Sequence, residues 1–287
     1  MGRPLNRIDH TNRYRAAEIA AVRACRGCAT RSQASGFTMI DVMVSMAVIG
    51  LLIVISLPAL STVRESARKV VCGSNLRQVG LGMSVYSQDN NDFIPESIFL
   101  PDQRATAYRL PSLNRMDTVR LSGKEFSGFS SDELWDGIGM LYNQGYVSAP
   151  GVFYCPSHHG EFVFEKAAED WNDSSEDEII ANYFYRGAGP DGKRKIVDIY
   201  GQVALVTDTI RSYNDLNHVG GVNVLQAGLA VEWVDDIGDQ IADGLLLREG
   251  QDGGPAGGGN TQTLSQAVLE TWGLLDRFTS STGKQDD

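Results

Sequence analysis

The sequence predicts an α+β protein: a long N-terminal helix with a membrane-spanning first half, whose outer half packs on a small antiparallel β-sheet head. Three observations carry this expectation. Residues 42–60, VMVSMAVIGLLIVISLPAL, form an uncharged run of nineteen residues. Downstream, Cys72, Leu76, Val79, Met83 and Tyr86 recur at spacings of four, three, four and three, the apolar stripe of an amphipathic helix. Between 202 and 234, short β-branched segments are bounded by turn residues.

The chain begins with a basic segment. Residues 1–36 hold seven arginines against Asp9 and Glu18, a net of +5, which leaves −16 for residues 37–287 of the total −11. A basic segment, an apolar run and an acidic remainder follow one another in the order expected when the basic side stays in the cytoplasm. The acidic balance argues against a phosphate-binding surface, so no nucleic-acid partner is expected. As a helix the apolar run rises about 28 Å, enough to cross a bilayer core. It is longer than the roughly 7–15 residues of a secretory signal, and no A-x-A-type site follows it. A carboxylate at Asp41, one turn inside such a helix, is costly unless paired and by default marks function; the alternative is a solvated carboxylate at the interface. Pro58 removes a helix hydrogen bond and is expected to kink or locally open the helix.

Beyond Leu60 no proline interrupts the chain up to Tyr86, so the helix is expected to continue, weakened by Gly73, Gly80 and Gly82 to the point of allowing a bend. Strands are predicted at Gln202–Asp208, Val222–Gln226 and Leu229–Val234, with Ala227-Gly228 as a two-residue hairpin turn. Gln251–Asn260, QDGGPAGGGN, has the composition of a flexible linker. After it, Leu264, Val268, Trp272, Leu275 and Phe278 define a short amphipathic helix that either docks on its own head or is tethered for a partner. The predicted organisation is a leader at 1–36, a spanning helix at 37–60, a head at 61–250, a linker at 251–260, and a helix with polar tail at 261–287.

The residues suited to chemistry are few. Cys25 and Cys28 form a C-x-x-C in the leader, without a second pair at zinc spacing. In an oxidising compartment Cys72 and Cys155 favour a disulfide; two separately buried thiols are the alternative. Cys155, His158, His159, Asp208 and His218 are the clustered types able to serve metal or nucleophile chemistry, but no H-E-x-x-H, G-x-S-x-G or phosphate-cradling loop is present. His158 and His159 are adjacent and would point to opposite faces of a strand. No catalytic residue, no enzyme activity and no cofactor are expected. The acidic residues between Glu161 and Glu178 fail the calcium-loop pattern and read as a solvated loop.

Gly36-Phe37-Thr38-Met39-Ile40-Asp41 resembles the N-terminus of type IV prepilins and type II secretion pseudopilins. That family is cut after the glycine by a membrane-embedded prepilin peptidase, which also methylates the new amine. The resemblance implies that Gly36 ends the leader and Phe37 begins the mature chain. Asp41 is then fifth, where the family usually has Glu, Gly50 is fourteenth and Pro58 is twenty-second. Two features depart from the pattern: Asp41 is one methylene shorter, and a 36-residue leader implies an upstream start codon or a real extension. By the same resemblance Asp41 pairs with the Phe37 amine of a neighbouring subunit.

A narrower resemblance, to a large bacterial family of prepilin-like proteins, covers residues 36 to about 235. It rests on Cys72-Gly-Ser-Asn75-Leu76-Arg77-Gln78, Asp89-Asn-Asn-Asp92 before Pro95, Phe153-Tyr-Cys155-Pro156-Ser157, Asn182-Tyr183-Phe-Tyr185, and His218-Val-Gly220-Gly221-Val-Asn223. The family's last block usually reads Asp-Gly-His after the strand, and Ala227-Gly228-Leu229 stands in its place here. Because pseudopilins include calcium binders, Asp89 and Asp92 are weak candidates for calcium, although Asx residues at a helix exit are ordinary turn formers. The resemblance implies a pseudopilin or minor pilin, single-pass in the inner membrane, with its leader cytoplasmic and its head periplasmic or extracellular. Its implied partners are prepilin peptidase and like subunits met through the N-terminal helix. The alternative is a membrane-anchored extracytoplasmic binding module that does not polymerise.

Overall fold

Helix α1, Met39–Asp89, runs for 51 residues in the computed structural model. The structure describes residues 36–100, 115–172, 177–208, 210–211, 216–218, 220–243 and 261–282, with backbone alone for 261–267 and 280–282. Cys25 and Cys28 of the predicted leader and the predicted linker 251–260 lie outside them. The chain divides into two units, Met1–Pro58 and Ala59–Asp287.

In the first unit α1 starts on a reciprocal cap. Asp41 N donates to Thr38 Oγ1 at 3.3 Å, while Asp41 Oδ2 accepts from Thr38 N at 2.9 Å and from Thr38 Oγ1 at 2.8 Å. This arrangement satisfies donors that a helix start otherwise leaves open. The two serines of the apolar run bond back to the helix, Ser45 Oγ to Val42 O and Ser56 Oγ to Leu52 O, so neither presents a bare hydroxyl to its surroundings. Pro58 sits inside α1, and the helix is unbroken through it.

In the second unit four strands form an antiparallel meander in the order β3-β4-β5-β6: Tyr183–Tyr185, Ala204–Asp208, Gly221–Gln226 and Val231–Asp235. Two shorter strands, β1 (Thr118–Arg120) and β2 (Ile179–Ile180), pair separately. One face of the meander packs on the α1 stripe, whose Cys72, Leu76, Val79 and Met83 are wholly buried with Tyr183, Tyr185, Leu205 and Leu225. Two α1 glycines let neighbouring side chains approach the helix closely, one from the meander and one from outside it. A Cβ on Gly80 would stand 2.8 Å from Leu225 Cδ1, and one on Gly82 2.7 Å from Val147 Cγ2.

The other face carries helix α2, Thr261–Thr282, whose Val268, Trp272 and Leu275 are buried with Phe184, Val222, Val224 and Val234. Polar bonds fix its position: Arg186 Nη1 donates to Asp276 Oδ2 at 2.8 Å, Ala204 N to Asp276 Oδ1 at 3.1 Å, and Thr279 Oγ1 to Gln202 O at 2.8 Å. Of the two fates expected for this helix, docking on its own head is the one found.

The β5–β6 hairpin corrects the predicted two-residue turn. Leu229 N donates to Gln226 O and Gln226 N to Ala230 O, both at 2.9 Å, so the loop runs from Ala227 to Ala230 and β6 begins at Val231. The positive φ of +65° falls on Leu229, not on Ala227 or Gly228. Gly228 is needed for a different reason: a Cβ there would meet Gly201 O at 3.0 Å.

Candidate functional site

Two places gather the residues singled out by the sequence, one in each unit. In the first, Phe37 is 92 % exposed and every large hydrophobic side chain from Met39 to Leu60 is exposed. α1 contains one window long and apolar enough to cross a membrane, and nothing in that window is buried within the chain. Asp41 lies at the start of this surface with its carboxylate turned back on Thr38. Sequence reasoning treated Asp41 as a charge awaiting a partner and missed its capping role, although Thr38-x-x-Asp41 is a legible form of the motif.

The second place is in the head. The α1 stripe delivers Cys72, and the turn after a 3₁₀ segment at Pro150–Phe153 delivers Cys155. Strand β4 ends on Asp208, and the segment before β5 supplies His218. All four are buried, and one ligand atom from each lies within 4.8 Å of the others. Cys72 Sγ donates to Asp208 Oδ1 at 2.9 Å and lies 3.3 Å from Tyr183 Oη. Cys155 Sγ is 3.4 Å from His218 Nε2, which is 3.9 Å from Asp208 Oδ2. The disulfide expected between Cys72 and Cys155 is not formed: both are free cysteines, one thiol committed to Asp208 and the other facing His218.

A ring of further groups holds this cluster. Asp208 Oδ2 accepts from Asn223 N at 2.6 Å and Asn223 Nδ2 at 3.3 Å, and Oδ1 accepts from Asn217 Nδ2 at 3.4 Å. His218 Nδ1 donates to Glu65 Oε1 at 2.7 Å, and Ser157 Oγ donates to the same carboxylate at 2.8 Å. Trp233 meets the His218 ring edge-on at 5.7 Å, and Lys69 Nζ stands 2.9 Å from the centre of the Trp233 ring.

The electrostatics divide the two thiols. Burial pushes Cys72 well up, and hydrogen bonding to Cys155 and the charge of Asp208 push it further, so it holds its proton. Burial also raises Cys155, but hydrogen bonds from Cys72 and His218 outweigh it and bring that thiol down to about 7. Burial lowers His218, yet Cys155, Asp208 and Glu65 together raise it to about 9. Burial raises Glu65, while hydrogen bonds from His218 and Ser157 turn the net shift downward. Such a set can hold a soft or borderline divalent metal, or it can stand as a charged hydrogen-bond network.

Of the remaining named residues, His158 reaches the ring around this cluster through Asn217. His158 is buried and donates Nδ1 to Asn217 Oδ1 at 2.8 Å, while His159 is exposed. Asp89 accepts from Tyr146 Oη at 2.9 Å, and Asp92 occupies a tight turn at φ +68° with its N–H on Ser87 O. Of the acidic loop, Asp177 pairs with Lys124 at 3.1 Å and Glu178 with Arg115. Glu65 escaped notice because His218 lies 153 positions away, and no local pattern announces the pair. Compared with known proteins, the chain matches no family model, no curated protein and no solved structure.

Proposed function

We propose that the chain is a prepilin-like structural subunit, a pseudopilin or minor pilin. In this reading prepilin peptidase processes it between Gly36 and Phe37, and its N-terminal helix joins it to like subunits from the inner membrane. The observation that carries this reading is a coincidence in one helix. A glycine-aromatic sequence of the cleavage type with its carboxylate five residues on stands at the front of an apolar surface that the described residues leave uncovered. Such a surface is stable only in lipid or against other apolar helices. The head is consistent with a structural role: its reactive side chains, Cys72, Cys155, Asp208 and His218, are turned into the core.

The second reading, an anchored binding module that does not polymerise, is favoured by the cap at Thr38. Asp41 has hydrogen-bond partners inside its own chain and does not need a neighbour to satisfy it. Shearing native membranes and pelleting the released material separates the two. The subunit reading expects the protein in a pelletable assembly that cross-links through α1, whereas recovery only as a membrane-bound monomer supports the anchored module.

A further inference from the structure

We infer that Cys72, Cys155, Asp208 and His218 form a four-coordinate zinc(II) site that ties α1 to the sheet. Two thiolates, one imidazole and one carboxylate are a donor set that zinc accepts in tetrahedral geometry. Calcium, which takes six to eight oxygen ligands, does not suit it. Bond lengths of about 2.0–2.3 Å imply edges of about 3.3–3.8 Å between ligand atoms in a tetrahedron. The contacts at 2.9 Å (Cys72 Sγ to Asp208 Oδ1), 3.4 Å (Cys155 Sγ to His218 Nε2) and 3.9 Å (His218 Nε2 to Asp208 Oδ2) bracket those values, the first and last on different oxygens of Asp208; with one ligand atom taken from each residue no separation exceeds 4.8 Å, so about 1–1.5 Å of closure at most reaches the tetrahedral edge.

An independent observation is the order around the ligands. His218 donates Nδ1 to the Glu65 carboxylate, which leaves Nε2 facing Cys155 and Asp208, the carboxylate–histidine arrangement that orients a metal-binding imidazole. Asp208 is fully buried and braced by Asn217 and Asn223, and its ion pair among the described residues is the distant His218 at 3.9 Å. Buried carboxylates are ordinarily paired with a cation or coordinated to one. All four ligands come from the protein and all are buried, so no position is left for substrate, and the site is structural. Loading it releases the protons held by the two thiols and by His218 Nε2, and zinc held there competes with oxidation of Cys72 and Cys155 to a disulfide.

The test uses the full-length chain in detergent, purified under reducing conditions, stripped with a chelator and reloaded with zinc or cobalt(II). The expected result is one metal per chain by mass spectrometry of the metal, and a sulfur-to-cobalt charge-transfer band that Cys72→Ser and Cys155→Ser each weaken and that the double substitution abolishes. Thiol reagents should be excluded until the chelator is added. Glu65→Gln leaves all four ligands in place, and its zinc affinity should fall roughly 10- to 100-fold while its circular dichroism is unchanged. Absence of uptake by the reduced chain overturns the assignment, whether the thiols are then found free or joined in a disulfide. A cobalt band that survives both cysteine substitutions overturns it as well.

Discussion

Asp41→Asn separates the two roles open to the Asp41 side chain. In the single chain its carboxylate accepts from the Thr38 N–H and hydroxyl at 2.9 and 2.8 Å. The amide oxygen of Asn can accept the backbone bond, so most of the cap survives, and even complete loss of such a cap costs only about 0.5–2 kcal/mol. If the carboxylate pairs with the Phe37 amine of a neighbour in an apolar layer, removing its charge costs about 3–5 kcal/mol. At about 1.4 kcal/mol per tenfold, that is roughly two to four orders of magnitude in the assembly equilibrium. The assay compares, in the same cells, processing at Gly36, the amount in the membrane fraction, and the amount in sheared, pelleted assemblies. Asp41→Asn should be processed and inserted as well as the parent yet lose assembly more than a hundredfold on this scale, while Asp41→Glu should assemble. An Asp41→Asn protein that assembles like the parent refutes the pairing and leaves the carboxylate as a cap alone.

Two further outcomes are expected in the head. Trp272 is 1 % exposed and lies under the Arg186 guanidinium at 5.5 Å; Trp272→Ala should cost about 3–5 kcal/mol by urea denaturation, and a loss below about 1 kcal/mol would show that α2 adds little to the core. Burial raises the Asp136 carboxyl to about 7, although Ser97 Oγ and Ile98 N both donate to it. Because this folded-state value lies above that of the unfolded chain, stability is fully present below about pH 4 and declines as pH rises through 7. The decline is on the order of 4 kcal/mol, from about three units at 1.36 kcal/mol each. Asp136→Asn should flatten that slope in denaturation curves taken across the range, and an unchanged slope would place its origin elsewhere.

What could be read from the sequence depended on how local the cause was. α1 and its buried stripe were legible because Cys72, Leu76, Val79, Met83 and Tyr86 repeat the helical period. Strands β4 to β6 were legible from β-branched runs, but β3 was not, since Tyr183-Phe184-Tyr185 is buried on both faces and offers no alternation. The hairpin turn was misplaced because its shape depends on Gly201, a distant neighbour of Gly228. In the buried cluster the residue types Cys72, Cys155, Asp208 and His218 could be picked out one by one. Their convergence, and the part played by Glu65, arises from the packing of α1 against the sheet, which no spacing in the chain records.

The most direct test of the subunit reading is the mass and N-terminal sequence of the protein extracted from membranes of a host that contains prepilin peptidase. A mature chain beginning at Phe37 with a methylated amine is the predicted result. A chain that keeps residues 1–36, or one cut at any other bond, would contradict it.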